Sequence, residues 1–266
     1  MAILMCRPDY FGVEYEINPW MHVQVAVDHE LAKRQWHGLK QVYDSLGVPL
    51  EIATPVKGLP DMVFTANAAV LRNGKAVLSN FHHPERQGEE PHWRSVLESL
   101  GFEVHEIPRS ISFEGAGDAL FVGDRLFCGH GFRTDAEAHE RVARLLDVEC
   151  ISLELVDPRF YHLDTCFCPL NDSTVLFAPD AFTPDAAKRI RETVPHVIQV
   201  PVDVAAGFAC NAMPVGERVV SSPAACKLEQ PLAEAGFQTI GIPMSEFMKS
   251  GGGVRCLSLP LDAGRS

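Results

Sequence analysis

Three consecutive glycines, Gly251-Gly252-Gly253, are followed by Val254, Arg255 and a single thiol, Cys256, at the start of an apolar run, Leu257-Ser258-Leu259-Pro260-Leu261. Glycine admits backbone angles closed to other residues and lets the chain approach a ligand closely, so this stretch reads as a mount for a nucleophile. It also reads as a terminal loop beside a core cysteine, since free Cys is among the most buried residues. Three other places carry reactive side chains at telling spacings. Phe113-Glu114-Gly115-Ala116-Gly117-Asp118 sets two carboxylates four apart on a glycine-softened segment. Tyr161-His162-Leu163-Asp164-Thr165 sets an imidazole and a carboxylate at i and i+2, which is one face of a strand. Arg133, in Gly131-Phe132-Arg133-Thr134-Asp135, is either a helix-entry surface residue or a clamp for an anion. A thiol and an imidazole far apart in sequence but joined by the fold form a nucleophile with its proton carrier. Carboxylates buried beside them need a counter-charge, which a cationic substrate supplies.

Each constellation has a plainer reading. Glu114 and Asp118 also fit turn or cap positions, and His162 with Asp164 fits a structural hydrogen-bonded pair. Zinc on His162, Cys166 and Cys168 is disfavoured, because Cys-Phe-Cys lacks the ligand spacing of structural zinc. Those two thiols read as packing, and His82-His83 as a loop. The chain has no GxGxxG, P-loop or HExxH. No metal or organic cofactor is called for.

The elements that must position these groups recur. Helical patterns span Asp28 to Leu46, Glu89 to Leu100, Asp135 to Leu146, Pro184 to Val194 and Lys227 to Ala235. Each is followed by a strand, within Val48–Ile52, Phe102–Pro108, Cys150–Leu153, Val197–Val200 and Phe237–Ile242. A second strand then follows, first at Met62-Val63-Phe64 and last at Cys256, usually with a hairpin return such as the one at Asn73-Gly74. Aligning the second strands places Asn67, Asp118, Asp164, Asn211 and Cys256 in equivalent positions, 51, 46, 47 and 45 residues apart. A period of this size marks a repeat architecture. Five units close most simply into a ring, because an open array leaves unpaired end strands. The expectation is a closed ring of five α/β units, one domain over residues 1–266, with the five equivalent side chains aimed at a shared axis.

Composition narrows the class of partner. The 266 residues are 46% hydrophobic and carry a formal net charge of −12. That balance argues against nucleic acid or an anionic membrane, which need clustered Lys and Arg. No apolar run reaches 18 residues, and no basic-then-apolar leader is visible at Met1. Eight scattered cysteines suit reduced thiols in a cytoplasm better than a disulfide framework. The oligomeric state, homo-oligomer included, stays open at this level.

Taken together, Phe113 to Asp118, His162 to Thr165 and Gly251 to Pro260 resemble the motifs of the guanidine-modifying enzymes, which include arginine deiminases, dimethylarginine dimethylaminohydrolases and amidinotransferases. The resemblance runs from Phe64-Thr65-Ala66-Asn67 to Pro260 and implies a five-bladed α/β propeller, or pentein. It further implies that Cys256 attacks a guanidinium carbon, His162 shuttles protons, Glu114 orients the site, and Asp164 and Glu114 hold guanidinium nitrogens. Asp118 is assigned to the substrate side, and Arg133 becomes a clamp for the substrate α-carboxylate. Many relatives have an acid after the Val-Phe-Thr segment where this chain has Asn67, and an amide cannot neutralise a cation. The N-terminal run Pro8 to Met21, with Asn18, is similar to that of the arginine dihydrolases, which also carry Asn at both places. The implied activity is therefore conversion of L-arginine to ornithine, carbon dioxide and two ammonia. Alternatives are dimethylarginine hydrolysis or deimination to citrulline, amidino transfer, and a non-catalytic binding propeller. A papain-like peptidase is disfavoured because its Cys precedes its His.

Overall fold

The computed structural model describes residues 1–261. Its strands form five three-stranded sheets. In chain order the strands are β1 Ile3–Cys6, β2 Leu50–Ala53, β3 Ala69–Arg72, β4 Lys75–Leu78, β5 Glu103–His105, β6 Ala119–Val122, β7 Arg125–His130, β8 Glu149–Glu154, β9 Phe167–Pro169, β10 Thr174–Phe177, β11 His196–Gln199, β12 Met213–Val215, β13 Arg218–Ser221, β14 Gln238–Gly241 and β15 Leu259–Pro260. Every sheet repeats one plan. An inner strand pairs antiparallel with a middle strand, which pairs parallel with an outer one. The parallel step needs a crossover, and helices His29–Ser45, Glu90–Ser99, Ala136–Leu146, Pro184–Thr193 and Glu229–Glu234 supply it.

The antiparallel step needs only a tight turn. Between β3 and β4 it is Asn73-Gly74, both with positive φ (49° and 78°), the conformation that matches strand twist. The fifth sheet joins the two ends of the chain, with Leu4 of β1 opposite Leu259 of β15. The ring is thereby closed.

Hydrogen bonds around the axis close it a second time. The Asn67 amide donates to the Glu114 carbonyl (3.5 Å), and Asp118 accepts from the Leu163 N–H (3.0 Å). Asn211 donates to the Asp164 carbonyl (3.1 Å) and accepts from the Cys256 N–H (3.3 Å). The Ala66 N–H then donates to the Cys256 carbonyl at 3.0 Å. The five equivalent residues of the repeat therefore stitch each unit to the next, and buried polar groups at the axis find partners there.

Several local expectations need correction. Met62-Val63-Phe64 is not a strand; Pro60–Val63 forms a buried 3-10 turn, with Pro fixing φ at its first position. The equivalent residues lie in the short turns that enter the inner strands, not on the strands. Asp164 belongs to the 3-10 turn Leu163–Thr165, with His162 at its N-terminal cap. Cys256 precedes β15 by three residues. Part of the expected helix from Lys227 is a 3-10 stretch, Pro223–Leu228. The strand Ile3–Cys6 had no periodic signal because all four of its residues are buried. Among the described residues no helix is long and apolar enough to cross a membrane.

Candidate active site

At one end of the axis a small cavity is lined by Cys256, Asn67, Asn18, Asp61, Arg86 and Arg133, among others. Its floor depends on the three glycines. Gly251 has φ +79°, and a Cβ there would lie 2.7 Å from the Tyr161 hydroxyl. A Cβ on Gly252 would strike the Phe64 ring, and one on Gly253 would sit 2.9 Å from Asn211 Oδ1. Close backbone approach is thus required at all three positions. The chain that leaves them delivers Cys256, 2% exposed, to the axis. Its Sγ accepts from Asn211 Nδ2 (3.0 Å) and donates to Asp164 Oδ2 (3.3 Å). Burial, and then the adjacent Asp164, push this thiol well above its ordinary range. Without a cation beside it, this environment favours the thiol over the thiolate.

Glu114 and His162 come together from two different units. His162 Nε2 lies 2.7 Å from Glu114 Oε2, and Arg133 Nη1 donates to the same oxygen at 3.0 Å. Glu114 is fully buried. Burial alone would raise its carboxyl, but Arg133 and His162 beside it hold it well below the usual carboxylate range. It is therefore an anion that fixes the imidazole. Arg133 also donates to the Ile17 carbonyl (2.9 Å) and stacks over the Tyr161 ring at 4.7 Å. It is a buried cavity residue, not a surface helix-entry residue.

Asp164 is buried beside the thiol, and its Oδ1 has no partner. Burial raises its carboxyl to about 7, against the pull of Arg255 and its hydrogen bonds. Asp118 is held differently. Thr134 Oγ1 donates to its Oδ2 (2.7 Å) and the Leu163 N–H to its Oδ1, so both oxygens face neighbouring chain and not the cavity. Asn18 lines the cavity with both amide ends engaged, Nδ2 on the Ser250 carbonyl (3.0 Å) and Oδ1 on the Trp20 N–H (2.9 Å). Cys166 and Cys168 are packed in the core, donating to the carbonyls of Leu163 and Ala212. His82, read as loop, is loop, yet its N–H reaches Glu114 Oε1 at 3.3 Å.

A second cluster on the cavity wall escaped the sequence reading. Arg86, buried, pairs with Glu89 through two bonds (2.7 and 3.0 Å) and donates from Nη1 to Asn67 Oδ1 (2.9 Å). Trp93 Nε1 donates to Glu89 Oε2 (3.1 Å). The i, i+3 spacing of Arg86 and Glu89, with Trp93 four residues on, is the signal that points to them. Because Arg86 occupies Oδ1, Asn67 turns its NH2 end toward the Glu114 carbonyl. Asp61 also lines the cavity. Its Oδ2 accepts from the Tyr15 hydroxyl (2.8 Å), its Oδ1 has no partner, and burial, opposed by Arg86, raises it to about 6.

The sequence as a whole agrees with known proteins. The family model for N,N dimethylarginine dimethylhydrolase, eukaryotic, matches residues 7–262. The bifunctional arginine dihydrolase/ornithine cyclodeaminase ArgZ of Synechocystis sp. is 44% identical over 264 residues, which is 97% of this chain. The chain spans only 37% of that relative's length. The N(G),N(G)-dimethylarginine dimethylaminohydrolase of Mycobacterium tuberculosis is 42% identical over 257 residues, covering 97% of this chain and 84% of the relative. Among solved structures, the N-terminal domain of an ArgZ variant covalently bound to a reaction intermediate superimposes with a TM-score of 0.95 at 42% identity, covering 99% of this chain and 98% of that one. Five repeated sheets, a thiol on the axis and these matches have one reading: the chain belongs to the N,N-dimethylarginine dimethylhydrolase family and has the five-bladed pentein fold.

Proposed function

We propose that this protein is a cysteine-dependent hydrolase of guanidinium C–N bonds, acting on L-arginine as an arginine dihydrolase. The observation that carries the substrate class is the charge inventory around Cys256. Two buried carboxylates, Asp61 and Asp164, each keep an unpartnered oxygen. Two buried arginines, Arg86 and Arg133, each paired with a buried glutamate, line the cavity with Asp61 and Cys256, and Asp164 lies against the Cys256 thiol. L-Arginine brings two cationic groups for the two acids with unpartnered oxygens, and its one carboxylate finds guanidinium N–H donors on the cavity wall. Asp164 faces the guanidinium, Asp61 the α-ammonium, and the arginines the α-carboxylate through forked hydrogen bonds. The ArgZ domain with its covalent intermediate supports a covalent route here too.

The chemistry then follows from the residues. The bound guanidinium lowers the Cys256 thiol, and the thiolate attacks the guanidinium carbon, forming a C–S bond. Protonated His162 donates its proton to the leaving nitrogen as that C–N bond breaks, releasing ammonia. Neutral His162 takes a proton from water, whose oxygen attacks the thiouronium carbon; the C–S bond breaks and the thiolate returns. Glu114 holds the imidazole through both steps. Asn67 offers an N–H donor where an acid would offer only acceptors, and so holds the neutral ureido product for a second attack. That attack expels the second ammonia, and hydrolysis leaves a carbamate that loses carbon dioxide to give ornithine. Asn18 fixes the Ser250 carbonyl at the cavity wall and Asp118 fixes the turn carrying His162. The reaction so drawn uses only these side chains and water.

We place the protein in the cytoplasm, where its eight free thiols stay reduced. The described propeller, residues 1–261, acts as one domain in this reading, and the sequence expectation of 1–266 extends past the described residues. The test is to incubate the protein with L-arginine and count ammonia against ornithine and citrulline, with Cys256→Ser beside it. Two ammonia per ornithine, lost in the mutant, is the expected result; one ammonia per citrulline overturns the second step. The 42% identity to a dimethylarginine dimethylaminohydrolase favours a second reading, release of dimethylamine from dimethylarginine, which the same assay detects.

A further inference from the structure

The axis has a second chamber. It is walled by residues of β3, β6, β9, β12 and β15, the inner strands of all five sheets. Cys256 lines the first cavity and its neighbour Arg255 the second, so consecutive side chains of the glycine-mounted turn face opposite ends of the axis. The walls are apolar, with Leu120, Phe121, Phe167 and Leu259 prominent; Arg255 is the one charged side chain among the described residues that line it, and Met1 brings its α-amino group. Its guanidinium has five N–H donors, yet the one side-chain hydrogen bond it makes among the described residues is to Met213 Sδ, at 3.4 Å. Sulfur in a thioether is a weak acceptor. Nor does any described carboxylate lie within ion-pair distance of Arg255; the acid whose charge it feels most is Asp164.

We infer that this rear chamber is a binding site for a monocarboxylate with an apolar body, its carboxylate forked on Arg255 and its hydrocarbon against the inner strands. A part-buried guanidinium without an anion is a cost that a planar, two-oxygen acceptor relieves. The apolar wall disfavours a free inorganic oxyanion, which would lose its hydration without replacement. An amino acid is disfavoured too, because its ammonium would find no carboxylate among the described wall residues. Two negative charges are opposed by Asp164 behind the guanidinium. Occupancy has a consequence at the front: Arg255 helps hold down the Asp164 carboxyl, and a bound carboxylate cancels that help. The site is therefore placed to report an apolar acid to the thiol side of the axis.

The test is calorimetric titration of the full chain with sodium octanoate, repeated with acetate, octanol and octylammonium, and with melting curves alongside. Octanoate should bind one site and raise the Tm, acetate and octanol should bind at least tenfold more weakly, and octylammonium should not bind. Arg255→Gln should lose at least tenfold in octanoate affinity. Arg255→Lys, which keeps the charge without the fork, should lose less. Saturating L-arginine should weaken octanoate binding only modestly and not displace it, since the two cavities are distinct but Asp164 couples them. No octanoate binding to the wild type at millimolar concentration overturns the inference. So does binding unchanged in Arg255→Gln, acetate equal to octanoate, or displacement by L-arginine. Because the ligand series on the wild type is decisive alone, a variant that fails to fold leaves the test intact.

Discussion

Asp164→Asn should make this protein more stable while destroying its chemistry. The carboxyl is fully buried, one oxygen has no partner, and burial raises it from 3.8 to about 7. Since the folded value lies above the unfolded one, the folded chain holds this proton more tightly. The stabilising contribution is complete below about pH 4 and is lost as pH rises through about 7. A shift of roughly three units at about 1.4 kcal/mol each bounds the loss at about 4 kcal/mol. Relaxation and water entry reduce that to about 2 kcal/mol, and the lost Cys256 hydrogen bond returns about 1 kcal/mol. Asparagine keeps the shape and carries no charge at any pH. Urea unfolding at pH 5.5 and pH 8.5 checks this, with the wild type expected to lose more stability across the interval than Asp164→Asn. At pH 8.5 the variant should be the more stable by about 1–3 kcal/mol. Acids common to both proteins cancel in the difference, so only Asp164 is read. Equal losses in the two proteins, or a variant less stable at pH 8.5, would refute the claim that the empty site holds this carboxyl against its preference.

Other outcomes follow from the same contacts. Glu114→Gln leaves Arg133 buried without its anion and His162 without its anchor, so kcat should fall by about 10²–10⁴ and stability by about 3–5 kcal/mol, read by steady-state kinetics and urea unfolding. Gly117→Ala should cost about 1–3 kcal/mol or more, because the added Cβ strikes Asn67 Nδ2 and presses on His162; a melting curve equal to wild type removes the close-approach argument. Asn67→Asp puts an acid beside Arg86 and takes away the N–H donor, so product counting should move from ornithine toward citrulline. Arginine binding to the wild type near pH 7 should release protons, since a guanidinium lets Asp164 and Cys256 ionise; calorimetry in buffers of different ionisation enthalpy measures the number released.

The repeat was legible because each unit carries its own punctuation. Gly47 and Gly101 end helices, Asn73-Gly74 turns a hairpin, and the five axial residues recur at nearly constant spacing. What spacing could not convey was the conformation at the axis. His162 and Asp164 alternate like strand residues, yet the chain turns there so that one side chain meets Glu114 and the other meets Cys256. Period-2 reasoning presumes an extended backbone, and a 3-10 turn satisfies the same sequence. Arg86 and Asp61 were hidden for another reason. Each sits in a short Pro-opened turn without a glycine mount, and their place at the site arises through Asn67 and Tyr15, 19 and 46 residues away. Asp118 is the converse case. Its place in the repeat gave it a substrate-side expectation, and its two oxygens instead anchor the turns that hold Glu114 and His162.

These placements explain how one site keeps a thiol, an imidazole and five acids together. Glu89 and Glu114 are neutralised by Arg86 and Arg133, and Asp118 by neutral donors, so three of the acids complete the scaffold. Asp61 and Asp164 are the two left with an oxygen unpaired, both raised toward the protonated state. Without a cation beside them, burial favours the neutral forms of these two acids and of the thiol. Binding a cation changes both at once, since each positive group that enters favours ionisation of the acid it faces and of the thiol. Reactivity is therefore tied to occupancy, and Cys256 is spared reaction when no guanidinium is present. Iodoacetamide offers a direct comparison: with a bound guanidinium too short to cover Sγ, modification of Cys256 should accelerate as pH rises through 7, whereas in the empty site it should stay slow over the same interval. Equal rates with and without the cation would mean that the thiol owes its activation to residues other than the acids that face the substrate.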